Sequence, residues 1–315
     1  MLNRRHLRIK VLQALYAYYQ SDKESVSKTE KELNLAVDRI YDLYLYLMLS
    51  IVELKSSAEK RIEDNKAKKR ATEEDLNPKM KFVNNELIAS LEKSPELRRA
   101  SEERKVNWIG DEHQEMFRKM LNAVTESETY FEHMNNGQEG YDADKAFILD
   151  LFKIEIANFS LLYDFFEEKS IHWIDDIDLS CAMVLKTVKA FEKSEVISIM
   201  DLFKDPADEQ TFIRELFRQT ITLDKENETL IDELTKNWEL DRIAKMDVIL
   251  MKMAITEFQI FETIPTKVTL NEYIEISKFY STPKSNGFIN GVLDRAIDRL
   301  NKEGKIVKVG RGLTN

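Results

Sequence analysis

Glycine and proline are scarce in this chain, with eight and five among 315 residues. Sheets spend such residues on their turns, so the composition disfavours a β-rich fold and favours long amphipathic helices. Cysteine is scarcer still. Cys181 stands alone, which rules out an internal disulfide and fits a reducing cytosol. No run of eighteen apolar residues occurs, which predicts no membrane span. The opening MLNRRHLRIKVLQALYAYYQ turns from basic to apolar as a signal peptide does. Polar residues interrupt its apolar part, however, and no small-residue cleavage site follows. Basic residues are outnumbered, 47 Lys and Arg against 57 Asp and Glu, for a net charge of −10. That argues against bulk nucleic-acid binding, although a net value hides local patches.

Catalytic signatures are missing as well. The four histidines, His6, His113, His133 and His172, lie in no HExxH pattern, and none has a glutamate three residues before it. Zinc-protease and di-iron helix motifs are therefore absent. No GxGxxG, P-loop or GxSxG occurs. The cluster HWIDDID (172–178) reads as a solvated acidic helix start, because carboxylates favour helix N-termini, rather than as a metal site. Cys181 sits among apolar residues in DLSCAMVLK and reads as inert core. The expectation is a protein that is not an enzyme and holds no metal or cofactor.

What is present is helical periodicity. Leu7, Val11, Ala14, Leu15 and Tyr18 form one buried stripe on a first helix. A second helix is expected over about 30–62, deeply buried where LYLYLMLSIVEL is apolar nearly all round. The lysine-rich stretch near 55–81, ended by Pro78, reads as a mobile segment. NNGQEG (135–140) is the clearest loop, and Asp205–Pro206 marks a boundary. An offset of 65 residues lays FILDLFKIEI (147–156) over FIRELFRQTI (212–221) and Trp173 over Trp238. This reads as a diverged duplication of a helical module. Residues 147–191 are then expected to pack as a layer on the C-terminal module. Near the end, Ile243, Met246, Ile249, Leu250 and Met253 share a face. Thr269 and Glu272 stand at capping-box spacing after Pro265, predicting a helix from about Leu270. The tail from 302, with Lys302, Lys305, Lys308 and Arg311 against Glu303, reads as disordered.

Two features resist a purely structural reading. Arg4, Arg5, His6, Arg8 and Lys10 fall within ten residues, and the first acidic residue is Asp22. Cations at a helix N-terminus are disfavoured by roughly 0.3–1 kcal/mol each, so stability offers no reason for them. They suit a nucleic-acid backbone, and an outward tyrosine among Tyr16, Tyr18 and Tyr19 could stack on a base. Gly287 and Gly291 lie one turn apart around Phe288 in a glycine-poor chain. Gly291 permits a close approach by a helix or a nucleotide backbone, and Phe288 is either core or a stacking platform.

These residues resemble the NusB family of bacterial transcription antitermination proteins. RRHLRIKVLQALYAYYQ is similar to the family's arginine-rich first helix with its Gln-Ala-Leu-Tyr, here Gln13 to Tyr16. WELDRIAKMDVILMKMAITEF, IPTKVTLNEYIEISKFY and GFINGVLDRA resemble its three closing helices in order, the last carrying Phe-x-Asn-Gly-Val-Leu-Asp from Phe288 to Asp294. The resemblance implies an all-α, NusB-like helical bundle and a cytoplasmic RNA-binding factor. Such a factor binds boxA-type single-stranded RNA in nascent ribosomal RNA transcripts. It does so with ribosomal protein NusE, in an RNA polymerase antitermination complex. Carried over residue by residue, Arg4, Arg5 and Arg8 match the basic helix start, Tyr16 the tyrosine of Gln-Ala-Leu-Tyr and Phe288 the signature aromatic; with His6, Lys10 and Lys284 beside them they make up the expected RNA-binding residues. His6 replaces what is often a third arginine, and Lys284 and Gly287 replace other polar residues. The alternative is a helical protein-interaction scaffold without RNA binding. The resemblance covers about 1–20 and 207–301. It leaves 21–206 as a helical insertion and 302–315 as a basic tail.

Overall fold

A computed structural model describes residues 2–21, 25–193, 197–235 and 243–309. The described residues are helical, without a strand. In chain order the helices are α1 (Arg4–Gln20), α2 (Val26–Lys66), α3 (Glu73–Leu76), α4 (Glu86–Glu92), α5 (Pro95–Arg104), α6 (Asp111–Glu126), α7 (Glu128–Asn135) and α8 (Tyr141–Leu151). A π-helical turn (Phe152–Ile156) extends α8. There follow α9 (Ser160–Lys169), a 3-10 turn (Ile171–Trp173), α10 (Ile177–Ala190), α11 (Pro206–Thr222), α12 (Asp224–Leu234), α13 (Lys245–Ile260), α14 (Thr266–Tyr280) and α15 (Ser285–Lys302). None is long and apolar enough to cross a membrane.

The chain forms two compact units: Asp38–Leu202, and Leu2–Val37 together with Phe203 onward. The boundary between the two units falls inside α2, between Val37 and Asp38. The reason is local. Glu30 is buried and takes a bidentate pair from Arg218 of α11, and Leu33 and Val37 are core residues.

In the Asp38–Leu202 unit, α2 is buried nearly all round from Ile40 to Ile51, as its composition requires. Tyr46 meets Trp108, Phe165, Phe166 and Trp173 edge-on. Trp173 is 0% exposed, and its indole Nε1 donates to the Arg39 carbonyl at 2.8 Å. The helix runs to Lys66, so the first part of the lysine-rich stretch is helix rather than mobile loop. Lys, Glu and Ala are good helix formers, and Lys55 pairs with Glu59 and Glu92. Asp176 and Asp178 lie at the start of α10. Burial pushes the Cys181 thiol up to about 12, beside Asp178, which leaves it unreactive.

The 65-residue offset also matches helix to helix: α8 with its π turn (141–156) falls on 206–221, where α11 lies, α9 falls within α12, and α10 falls on the stretch that opens α13. Residues 212–221 lie in the unbroken α11, whereas 147–156 ends α8 and passes into the π turn. Residues 147–191 fall in the Asp38–Leu202 unit rather than in the unit that holds the C-terminal module. Phe147 packs there on Phe82, Tyr130 and His133. The shared letters reflect similar buried faces: Phe147, Ile148, Leu151, Phe152 and Ile156 are core, as are Phe212, Ile213, Leu216 and Phe217. Trp238 lies outside the described residues.

In the other unit, α13 packs against α11, α12, α14, α15 and α1. Leu250, Met251 and Met253 are fully buried core, and Met246 is half-buried. α14 starts at Thr266, directly after Pro265, not at Leu270. The Thr269–Glu272 capping box is not formed, because both side chains are engaged elsewhere. Part of the tail is ordered: Val309 N–H donates to the Glu262 carbonyl at 2.9 Å and Lys308 Nζ to the Phe261 carbonyl at 2.8 Å. Arg311 lies outside the described residues.

Replacing Trp173 with alanine removes a fully buried indole and its hydrogen bond to the Arg39 carbonyl. The expected cost is about 3–5 kcal/mol, read as a lower thermal midpoint by calorimetry. An unchanged midpoint would contradict this packing.

Candidate nucleic-acid interface

α1 begins with Asn3, whose side chain accepts from His6 N–H at 3.1 Å while Asn3 N–H donates to His6 Nδ1 at 3.3 Å. This reciprocal cap gives His6 a structural task in its neutral form. Burial, then the nearby Arg5 charge, lowers the His6 pKa, which keeps Nδ1 an acceptor.

The arginines have partners that the local sequence conceals. Arg8 is 2% exposed and grips Glu257 of α13, itself 0% exposed. The grip is bidentate, with Nε to Oε2 at 2.8 Å and Nη2 to Oε1 at 2.6 Å. Thr269 Oγ1 and Tyr273 OH of α14 donate to the same carboxylate at 2.8 and 2.9 Å. Burial by itself lowers the Arg8 pKa, but the hydrogen bonds and charge of Glu257 raise it above the ordinary value. Burial and the Glu257 charge likewise raise Tyr273. Arg5 forks onto Glu272 of α14 at 2.8 and 2.7 Å. Arg4 reaches Asp208 of α11 at 2.6 Å and lies 4.5 Å over the Phe212 ring. The helix-start cations thus stabilise the fold through acids 204 to 267 residues away. Arg8 and Lys10 are buried and cannot grip a phosphate. Arg4, Arg5 and His6 remain half-buried at the surface.

Tyr16 is 38% exposed and lines a hollow with Tyr19, Lys245 and Val248. It lies twelve residues beyond Arg4, about 18 Å along α1, so the two do not form one contact point. Lys284 is exposed and Phe288 half-buried. The connection that carries Lys284 and leads into α15 is tied to α13 by Ser281, which hydrogen-bonds Asp247, and is closed on itself by Ser285, which bonds Thr282 and Ser281.

The glycines fall inside α15, not before it. A methyl group at Gly287 or Gly291 would meet nothing within 4 Å. Gly291 is therefore no helix-crossing point; it is exposed on the surface of α15. The fold requires neither glycine; both leave the surface of α15 open to close approach. Arg295, exposed on the same stripe, folds its Nε onto the Gly291 carbonyl at 3.0 Å.

One aromatic residue escaped the sequence reading. Phe279, 82% exposed, stands at the end of α14 beside exposed Lys278. It lies seven residues past Glu272, which places it about 10 Å further along the same face of the helix that holds Arg5. In sequence, SKFY looks like the last turn of an amphipathic helix. Only the missing cover reveals it. Arg5 and Phe279 thus lie along one face of α14, Phe288, Gly291 and Arg295 share a stripe of α15, and Lys284 stands in the connection between the two helices. The HWIDDID cluster holds no metal set: among the described residues no group of three or more His, Cys, Asp or Glu could hold an ion.

The Arg5 hydrogen bonds hold the Glu272 carboxyl below its ordinary value of 4.5, against the opposing effect of burial. The unfolded chain therefore binds more protons at low pH. The stabilisation from Glu272 is present above about pH 4.5 and is lost as pH falls through the lower folded value. Arg5→Gln should reduce the fall in stability on acidification below pH 4.5, measured by urea unfolding at several pH values. Parallel profiles for the two proteins would refute the pairing.

The NusB family model matches residues 181–298. A transcription antitermination protein NusB of Salinibacter ruber is 40% identical over 137 residues, 41% of this chain and 86% of that protein. The NusB proteins of Natranaerobius thermophilus and Chloroherpeton thalassium are 43% identical over 72 residues and 40% over 104. Those matches span 23% and 33% of this chain, and 52% and 49% of those proteins. No solved structure matches. With the closing helices, the capped basic helix and a relative covered over most of its length, the chain belongs to the NusB family.

Proposed function

We propose that this chain is an RNA-binding transcription antitermination factor. In this reading its α14–α15 face takes boxA-type single-stranded RNA, together with ribosomal protein NusE, within an RNA polymerase complex. The observation that carries the reading is Phe279, a large aromatic exposed at 82% beside a loop with exposed Lys284. A single exposed apolar side chain is ordinary on a protein surface; what sets Phe279 apart is its neighbouring cations, exposed Lys278 beside it and Lys284 in the connection that follows. Stacking on a base stabilises by roughly 1–3 kcal/mol, and lysines and arginines around the ring supply phosphate contacts. The two glycines let a ribose–phosphate backbone lie close to α15. The relatives' name as transcription antitermination proteins supports the same reading.

The net charge of −10 does not oppose it. Residues 38–202 hold 34 Asp and Glu against 23 Lys and Arg, whereas the rest of the chain holds 23 against 24. The family module is close to neutral, so RNA affinity alone is expected to be weak and to rise with a basic protein partner.

Labelled boxA-like RNA titrated at several salt concentrations tests this. Lys284→Gln and Arg295→Gln should each reduce the slope of log affinity against log salt by about 0.7. Phe279→Ala should weaken binding about 5- to 150-fold with the slope unchanged. Thermal midpoints should barely move, since the side chains are exposed. Native affinity in all three variants would refute the proposed face, and absent binding with or without NusE would favour a scaffold that does not bind RNA.

A further inference from the structure

The acidic excess is not spread over the Asp38–Leu202 unit. Residues 121–180 hold fourteen Asp and Glu against three Lys and no Arg. This stretch builds α7, α8, the π turn and α9. A groove of about 560 Å³ opens between α7 and the α8–π-turn segment. Its walls carry Glu128, Glu132, Asp150 and Glu155, and no lysine or arginine lines it. Apolar side chains also line it, Phe147 buried and Ala143, Ala146 and Ile154 nearer the surface. Phe131 and Ile154 are exposed at the surface of the same elements.

An acidic wall alone marks no site. The second observation is His133, which also lines the groove. It is 4% exposed, stacks on Phe147 at 3.7 Å, and its Nε2 has no hydrogen-bond partner. Burial, helped by the Lys81 ammonium, lowers its pKa to about 4, so the ring is neutral at physiological pH. A buried neutral imidazole nitrogen without a partner is costly unless a ligand completes it.

The chemistry narrows the ligand. Phosphate is repelled by four carboxylates. A metal ion is excluded by their spacing, since no group of three among the described residues could hold one. Lysine and arginine side chains fit on every count: their aliphatic stems lie along the apolar lining while their heads meet carboxylates, and their N–H groups can donate to an imidazole nitrogen. We propose that the α7–α8 groove is a docking site for a lysine- or arginine-rich segment of a partner protein. The site lies outside the part of the chain that the family model matches. It gives the insertion a task of its own, recruiting a basic protein.

The full-length chain is titrated with a fluorescein-labelled ten-residue peptide of alternating lysine and alanine, followed by anisotropy. Glu132→Gln with Asp150→Asn removes two groove charges. Asp164→Asn with Glu167→Gln removes two exposed charges on α9, outside the groove. The groove pair should weaken binding about tenfold or more, and the α9 pair less than about twofold. All four positions are exposed, so both variants should keep the native thermal midpoint. Equal weakening by the two pairs would show only a diffuse acidic field and overturn the proposal. Failure of the native chain to bind the peptide would overturn it as well.

Discussion

The Arg8–Glu257 ion pair is the constraint on which the NusB-like unit depends. Two charges buried together carry a large desolvation penalty, and their attraction offsets it only when geometry is good and the remaining hydrogen-bonding capacity is met. Here the geometry is a two-pronged fork, and Thr269 and Tyr273 add hydroxyl donors to the carboxylate. One carboxylate thus fixes α1, α13 and α14 against each other. The consequences extend outward. Arg5 finds Glu272 one turn along α14 from Thr269, and the same helix carries Phe279 to the surface. The register set in the core therefore sets where the candidate RNA face begins and ends.

Charge in this protein is partitioned by unit, and each part follows a different logic. In the NusB-like unit the conspicuous basic helix start is largely neutralised by distant acids, so it acts first as a structural device. The cations that remain exposed, such as Lys284 and Arg295, are those free of buried partners. In the Asp38–Leu202 unit the acids outnumber the bases, and four of them line one groove. A single net value for the chain describes neither unit.

The sequence made the helical class and the three closing helices legible because their signals are local. Scarce glycine and proline exclude sheet turns, and the apolar face of α13 is visible from spacing alone. The motif Phe288 to Asp294 has few alternatives. The failures were non-local or ambiguous. The partners of Arg4, Arg5 and Arg8 lie more than 200 residues away, so cations that looked unfavourable for stability turned out to support it. Thr269 and Glu272 had the spacing of a cap, yet Pro265 starts the helix earlier and frees both for the arginine network. The lysine-rich stretch looked mobile because it is polar, but polarity does not prevent a helix when its residues favour one. Phe279 was invisible because an aromatic at a helix end reads as core until its neighbours are known. Which face of Gly291 is open was beyond reach for the same reason.

The most direct measurement is a double-mutant cycle in urea unfolding with Arg8→Met, Glu257→Leu and the pair together. Each single substitution leaves a buried charge without its partner and should cost about 3–5 kcal/mol, whereas the double variant removes both charges and should cost far less than the sum. Additive costs, or singles that unfold like the native chain, would contradict the claim that this ion pair holds α1 in place.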